Sequence, residues 1–286
     1  MRLFDRLWII FAIDSVATSV WHQSPNADEL RGQYLEALCH LQPWTEIRSE
    51  ADRPMVTFSN TRAVADFIGR EAWNPADTDH NRHLFPSSQQ ANLVRLVEQA
   101  FTMISRVSDD LTELIDLTIG ELFLARKEGH GGGSISSAVG LIWLNPGAKW
   151  DPWTTGENIV HEWIHNMLFL ADMVDPVFSA SYLKLGEKSS HVTSAILHRK
   201  RPFDRSYHSA AVAAGLVFLR DTAGDTQNAD RLVAPALRTV KGLKDRQDLL
   251  TQSGVDLLEE IEAFLWTRDS SRIIDLLAGR AIHQGL

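Results

Sequence analysis

The sequence has little of what marks secreted, membrane-bound or nucleic-acid-binding proteins. It contains one cysteine in 286 residues, Cys39, so no intrachain disulfide can form, which is typical of a protein in a reducing compartment. Lysine and arginine number 28 against 37 aspartates and glutamates. The resulting net charge of -9 disfavours binding to nucleic acid or to anionic membranes.

Apolar runs of membrane length are also missing. The N-terminal run 7–13 has only seven apolar residues between Asp5 and Asp14, which is too short to span a bilayer and poorly flanked for a signal peptide. We expect this segment to be a helix that docks on the core. With 44% hydrophobic and 23% charged residues, the chain can bury a full core, and we expect a soluble, cytoplasmic protein.

The most informative stretch is the sequence His161-Glu162-Trp163-Ile164-His165, an H-E-x-x-H pattern. On a helix, positions i and i+4 lie on the same face, so both imidazoles can reach one metal ion. Glu162 lies near enough to exchange a proton with metal-bound water. The alternative interpretation is a pair of ordinary core histidines. The neighbouring residues are strongly apolar, and burying two imidazoles and a carboxylate among them would be costly without a metal ion or a solvated cleft.

The elements before this motif predict a small sheet. Residues 117–125 and 136–146 have strand composition, and the glycine run 129–133 connects them, so it is not placed to bind phosphate as a strand-to-helix loop would. Thr154 and Glu157 have the spacing of a capping box, which predicts a helix from there to about Ala171. A strand, a tight loop and an H-E-x-x-H helix follow the order of a zincin, whose edge strand can hold an extended peptide.

The other segments read as helical. One helix is predicted from Ala27 to Leu41, where Pro43 ends the pattern, and another from Gln89 to about Ile115. Two or three further helices are predicted between Asn228 and Ile282. The fold class is therefore α+β and predominantly helical, with a zincin-like core and a small sheet beside the H-E-x-x-H helix. We expect an N-terminal, mainly helical region, 1–115, and a metal-binding catalytic region with C-terminal helices, 116–286, or one continuous domain.

A catalytic metal normally needs a third protein ligand. The metzincin extension is excluded, because Ala171 occupies the position of its third histidine and Leu168 that of its glycine. His208 is the preferred third ligand, since it opens an otherwise apolar helix that has little use for an imidazole unless that end faces a site. The alternatives are the side chains of Glu187, His191 and His198.

Five further histidines are interpreted as solvated loop residues: His22, His40, His80, His83 and His130. The basic segment 199–205 is either a solvated surface or part of the cleft, where an arginine offers a planar fork to a carboxylate.

These residues resemble a known family. The H-E-x-x-H helix, the preceding strand Gly140–Pro146, and Arg201-Pro202 with His208 seven places after Arg201 are similar to the HExxH peptide-modification proteins, which are 2-oxoglutarate-dependent peptide β-hydroxylases of ribosomal peptide pathways. The resemblance covers about residues 117–221. It implies iron(II), Fe(II), on His161, His165 and His208. The family often has an aromatic-Arg pair just before the Arg-Pro element. In this chain the residues Leu-His-Arg-Lys, 197–200, stand at that place. The residue that contacts 2-oxoglutarate is therefore left open between Arg201 and Arg199.

Three functions follow as expectations. The first, implied mainly by the resemblance, is an iron(II) dioxygenase that hydroxylates the β-carbon of a residue in a precursor peptide, with a supporting role for Glu162. The second is a zinc metallopeptidase in which Glu162 is the general base. The third is a peptide-binding scaffold without catalysis. The spacing of the motif by itself supports only a metal site.

Overall fold

The structure is a computed structural model that describes residues 1–43, 47, 51–58 and 83–280. Its helices are α1 (Arg6–Trp21), α2 (Leu30–Leu41), α3 (Ser87–Val107), α4 (Asp109–Thr118), α5 (Pro152–Val174), α6 (Tyr182–Gly186), α7 (Phe203–Thr222), α8 (Thr226–Lys244), α9 (Gln252–Thr267) and α10 (Ser270–Leu277). Its strands are β1 (Met55–Thr57), β2 (Glu121–Leu124), β3 (Gly132–Gly133), β4 (Leu141–Leu144), β5 (Val192–Thr193) and β6 (Lys200–Arg201). Short 3-10 turns occupy Arg2–Phe4, Ala27–Glu29, Lys188–Ser190 and Gln247–Leu249.

The chain forms two compact units. One consists of Met1–Ile9 and Leu170–Leu286, and the other of Ile10–Phe169. The two divisions fall inside helices α1 and α5. Compactness does not test which segments fold independently, so the boundary expected between residues 115 and 116 stays a prediction.

The unit Ile10–Phe169 contains a four-stranded sheet in the order β1-β2-β4-β3. Strands β1, β2 and β4 are parallel, and the two-residue strand β3 pairs antiparallel with the outer side of β4. Every residue of β2 and β4 is buried, as expected of parallel strands covered on both faces. The turn into β4 requires Gly140, which has φ +89° and lies so close to Leu38 that a Cβ would meet that side chain at 2.9 Å.

Most of helix α5, residues 152–169, belongs to this unit and is fastened to it at its start and near its middle. It begins at Pro152, because the carboxylate of Asp151 accepts the N–H of Thr154 at 2.7 Å and proline suits the first helical position. Further along, the indole N–H of Trp163 donates to the hydroxyl of Thr118 in α4 at 2.9 Å. The apolar neighbours of the motif are all buried: Ile159, Val160, Ile164, Met167, Leu168 and Leu170. The predicted helix around the H-E-x-x-H motif is therefore confirmed.

The unit of Met1–Ile9 and Leu170–Leu286 is built around α7. From Ser206 to Leu219 every side chain of this helix is buried. The hairpin of β5 and β6 is tied to its first turns by the hydroxyl of Ser206, which donates to the carbonyl of Val192 at 2.9 Å. Tyr207 donates its hydroxyl to the carbonyl of Gly254 in α9 at 2.8 Å. These bonds fix the N-terminal half of α7, where His208 lies.

Several predicted element boundaries were wrong for local reasons. The single helix from Gln89 to Ile115 is two helices, because Ser108 adopts an extended backbone and caps α4 through a hydrogen bond from the Leu111 N–H. The capping box at Thr154 is not the helix start, since Asp151 performs that role. Both predicted strands are shorter than expected: residues 117–118 end α4, and residues 136–140 form the turn before β4.

The coarse fold class is confirmed: the protein is predominantly helical with a small sheet. The predicted helix Ala27–Leu41 and the three C-terminal helices are confirmed in position within the described residues, the former with a 3-10 first turn. The N-terminal run 7–13 lies in α1 and buries Ile9, Ala12 and Ile13, so the predicted docking helix is confirmed, although Leu7 and Phe11 are exposed. Among the described residues, no helix has both the length and the apolar character that crossing a bilayer would require.

Candidate metal centre

The accessible face of α5 is narrow and carries both histidines of the motif. Between Ile159 and Leu170 only His161, His165 and Phe169 are partly exposed, and every other side chain is buried. Because these three positions are spaced by four residues, they lie in one row along the helix. The one accessible row of this stretch is thus formed by two imidazoles and an aromatic ring.

The geometry of the two imidazoles fits a shared metal ion. Their ring centroids are 5.1 Å apart, and the ring planes are inclined at 52°. Two imidazoles that bind one ion tetrahedrally at about 2.1 Å place their ring centroids roughly 5 Å apart. Burial lowers the pKa of His161 to about 4, so this ring is neutral at pH 7, which is the form that binds a metal. The ring of His165 is also stacked on Phe169, at 6.4 Å between centroids.

Glu162 is buried beside the histidine pair. Its carboxylate oxygen Oε1 lies 3.9 Å from Nε2 of His161, and only 6% of the residue is exposed. Burial raises the pKa of Glu162 to about 8, and a hydrogen bond to the side chain of Ser134 opposes this rise. A carboxyl group whose pKa is close to neutrality can both accept and donate a proton at pH 7.

Asn166 joins α5 to the sheet next to Glu162. Its Oδ1 accepts the N–H of Gly140 at 2.8 Å, and its Nδ2 donates to the hydroxyl of Ser134 at 3.1 Å and to the carbonyl of Glu162 at 3.1 Å. The side chain is completely buried, so these bonds satisfy groups that water does not reach. Asn166 therefore holds the helix, the turn into β4 and the Ser134 hydroxyl together.

Strand β3 brings bare main chain close to Glu162. A Cβ at Gly132 would lie 2.7 Å from the carbonyl oxygen of Trp143 and 3.7 Å from Cγ of Glu162. A Cβ at Gly133 would lie 3.1 Å from the Trp143 ring. Glycine is required at Gly132 because no side chain fits between the strands. The edge of the described sheet is consequently a main-chain edge without side chains beside the acidic member of the motif.

His208 lies in the second turn of α7, in the other compact unit. The first-turn position expected from sequence was wrong, because the helix begins at Phe203. His208 is 8% exposed, and burial together with the charge of Arg201 lowers its pKa to about 3. Arg201 is the partly buried last residue of β6, immediately before Pro202. His208 is thus a buried neutral imidazole within electrostatic reach of one guanidinium.

The other candidates occupy less suitable positions for a ligand. Glu187 is exposed and pairs with the Lys184 ammonium at 2.8 Å, which holds its pKa below the usual range. Nε2 of His191 lies 3.1 Å from the carbonyl of Gly186. His198 is exposed at a residue with φ 52°. Arg199 is exposed on the hairpin, as a solvated surface residue would be.

One of the loop histidines was misjudged. His83 is buried, with 5% exposure, and its Nδ1 lies 2.9 Å from the carbonyl of Arg126. This partner is 43 residues away, so local sequence could not indicate it. His22, His40 and His130 are exposed, in agreement with the sequence interpretation. His80 lies outside the described residues.

Two residues of the site were missed from sequence. Ser134 and Asn166 carry no motif, although an asparagine four places after Glu162 in an otherwise apolar stretch was a signal that a buried polar partner exists. Among the described residues, no group of three or more His, Cys, Asp and Glu side chains could hold a metal ion. The pair of His161 and His165 fits a metal by donor type, neutrality and spacing, and the third ligand stays a prediction.

Comparison with known proteins does not assign the chain. None of the models of known protein families that were scanned matches it, and a search of curated proteins finds no similar sequence.

Proposed function

We propose that the protein is an iron(II)- and 2-oxoglutarate-dependent hydroxylase that acts on the β-carbon of a residue in a ribosomally made precursor peptide. The observation that carries the proposal is the pair of His161 and His165 on the accessible face of α5, with rings 5.1 Å apart and Glu162 beside them. The proposed ligand set is this pair and His208. When bound, the ion would supply the oxidising chemistry, and 2-oxoglutarate would be its co-substrate.

In this proposal Glu162 has two roles: it helps to position the groups at the metal site, and it exchanges protons with them. Its carboxyl group is buried and lies 3.9 Å from Nε2 of His161, and the hydroxyl of Ser134 donates to the main-chain carbonyl of Glu162 at 3.2 Å. Asn166 fixes Ser134 in turn. A group held by such contacts keeps its orientation while substrate enters and leaves.

The main-chain edge at Gly132 and Gly133, which we name the glycine edge, favours a peptide as the substrate. A strand edge offers main-chain N–H and C=O groups that can pair with an extended peptide. At Gly132 and Gly133 no side chain obstructs that edge, and it lies within contact distance of Glu162. A peptide paired there would pass the buried carboxyl group of the motif.

Arg201 is the better of the two candidates for the 2-oxoglutarate carboxylate. It is partly buried, and its charge acts on His208, whereas Arg199 is exposed. A guanidinium fork binds a carboxylate through two parallel hydrogen bonds, and partial burial strengthens them.

The proposal is tested by metal analysis of anaerobically purified protein, followed by measurement of succinate formed from 2-oxoglutarate with and without peptide. Iron-dependent succinate formation that peptide stimulates, and a peptide product that has gained one oxygen atom, are the expected results. Succinate formation that requires neither iron nor His165 would contradict the proposal.

A zinc metallopeptidase is the second candidate, favoured by the position of Glu162 next to His161. In that case Glu162 would be the general base, and Glu162→Gln would lower peptide cleavage by roughly 100-fold or more with the metal content unchanged. Peptide-bond cleavage restored by zinc in metal-depleted protein would establish this candidate, whereas a hydroxylated, uncleaved peptide would exclude it.

A further inference from the structure

A cleft of about 860 Å³ lies in the unit Ile10–Phe169, where two parallel strands end. Arg126 and Lys127 follow β2, and Asn145 follows β4. A neighbouring cavity of about 540 Å³ shares Phe85 and Arg126 with this cleft and extends to residues 55–58 on and after β1. We name the cleft and the neighbouring cavity together the trough. Ligands of open parallel sheets bind outside the carboxyl ends of the strands, and the main cleft of this trough lies there.

The trough has the dimensions of an extended chain. It runs past the ends of β4 and β2 and then along β1, whose residues Met55, Val56 and Thr57 all line the neighbouring cavity. Since strands are about 4.8 Å apart, the trough is at least roughly 10 Å long, and an extended peptide of three or four residues spans that length. The volume of the main cleft also lies within the roughly 300–1,000 Å³ of typical ligand sites.

The lining of the main cleft is basic, although the chain as a whole is acidic. We name it the basic cleft after Arg95, Arg126 and Lys127, which face a single acidic lining residue, Glu128. Lys127 is partly buried and forms no ion pair with any carboxylate in the described part of the chain. Burial lowers the pKa of its ammonium group. A partly desolvated cation without a protein counter-charge favours an anionic ligand.

Amide groups and rings complete the lining. Gln89, Asn92 and Gln99 lie on one side of α3, and Asn145 lies opposite, after β4. A carboxamide both donates and accepts hydrogen bonds, as a peptide group does. A site for a small polyanion places several cations close together. The lining of this cleft instead combines cations with amide groups and the ring of Trp150, which suits a peptide with acidic side chains.

The basic cleft also leads towards the histidine motif. The ring of Trp150 lines the cleft, and a Cβ on Gly131 would lie 3.1 Å from that ring. Gly131 directly precedes β3, whose Gly132 is next to Glu162. A peptide that leaves the cleft past Trp150 reaches the glycine edge within a few residues.

We infer that the basic cleft binds an acidic segment of the substrate peptide, apart from the residue that reacts. The peptide nature of the ligand rests on the proposed function, while its negative charge rests on the cleft alone. The segment contributes affinity and register, and it takes no part in the chemistry.

The test is binding of a fluorescein-labelled eight-residue peptide with four glutamates, measured by fluorescence anisotropy at low salt. We expect Lys127→Met to weaken binding about 5-fold and the double change with Arg95→Gln about 20-fold. The matched controls are Arg106→Met and Arg106→Gln, which remove an exposed cation of the same unit that does not line the cleft, and they should change binding less than about 2-fold. Thermal unfolding verifies that each variant is folded.

Charge reversal supplies a second measurement. The Lys127→Glu variant should no longer bind the glutamate peptide, and it should bind a peptide in which lysines replace the four glutamates. Equal binding of the glutamate peptide and a glutamine counterpart, equal loss in the control variants, or displacement of the peptide by free glutamate at low concentration would each overturn the inference.

The proposed hydroxylase reaction and the proposed role of the basic cleft can be disproved independently of each other. Binding is measured on metal-free His165→Ala protein, where the cleft is intact, so a failed hydroxylase assay does not affect it. Conversely, succinate formation with no preference for acidic peptides would leave the proposed reaction standing and overturn the role of the cleft.

Discussion

The amide of Asn166 donates to the hydroxyl of Ser134 at 3.1 Å, and this hydroxyl donates to the main-chain carbonyl of Glu162 at 3.2 Å. The main-chain carbonyl of Glu162 is therefore held both by Asn166, four places along the same helix, and by Ser134 on the loop after β3. This chain of contacts links the stability of the unit to the geometry of the site.

Asn166→Ala should lower the free energy of unfolding by about 2–4 kcal/mol, because the buried N–H of Gly140 loses its acceptor and a cavity remains. Urea denaturation measures the change. Asn158→Ala is the matched control on the same helix, since its amide donates to the carbonyl of Thr154 in a partly exposed position, and less than about 1 kcal/mol is expected there. Equal losses in the two variants would contradict the buried role of Asn166.

Replacing either histidine of the pair should remove metal binding. His161→Ala and His165→Ala are each expected to weaken binding of the metal by at least about 100-fold, since each loses a direct ligand. Metal titration by calorimetry measures this, with His130→Ala as the exposed control. Full occupancy in both ligand variants would show that the motif is a pair of structural histidines.

The third ligand is tested separately. His208→Ala should lower metal affinity by roughly 10-fold or more if this imidazole completes the site. His191→Ala, in the same unit, should leave the affinity unchanged. An unchanged affinity in His208→Ala, with a loss in Glu187→Gln, would move the third ligand to Glu187.

Arg201 and Arg199 are two residues apart and differ in burial, so they make a matched pair. Arg201→Gln should raise the KM for 2-oxoglutarate by about 10-fold or more with little change in the KM for peptide, because a partly buried guanidinium binds a carboxylate strongly. Arg199→Gln should have less than about a 2-fold effect. The reverse order of effects would assign the co-substrate contact to Arg199.

Asp116 should make stability depend on pH. Burial raises its pKa from 3.8 to about 6, against the opposing charges of Arg53 and Arg31. Between about pH 4 and pH 6 the folded state therefore holds a proton that the unfolded state has released, so the contribution of Asp116 to stability is most favourable below pH 4 and decreases as pH rises to 6. After allowance for solvent screening, the loss is on the order of 1 kcal/mol.

Asp116→Asn removes this titration. The difference in free energy of unfolding between the variant and the natural chain should grow between pH 4 and pH 7, in favour of the variant. Urea denaturation across that range provides the measurement, and a difference that does not change with pH would show that Asp116 ionises normally.

Features that depend on near neighbours in the chain were predictable. Histidines at i and i+4 share a helix face wherever the helix lies, so the pairing of His161 and His165 followed from spacing. Helix boundaries were less certain, because several local signals compete. Asp151 and Pro152 prevailed over the capping box at Thr154, and Ser108 interrupted an apolar pattern that runs through both α3 and α4.

By itself the sequence determined the helical face of the motif, the predominance of helices and the apolar burial around His161 and His165, because these depend on residue type and on spacings of a few residues. Tertiary structure alone decided that Ser134 reaches Glu162, that His83 is buried, and that Arg126, Lys127 and Asn145 meet at one edge of the sheet. Such contacts join residues that are 18 to 43 positions apart. Only the order and register of the strands bring them together, and no local pattern encodes that order.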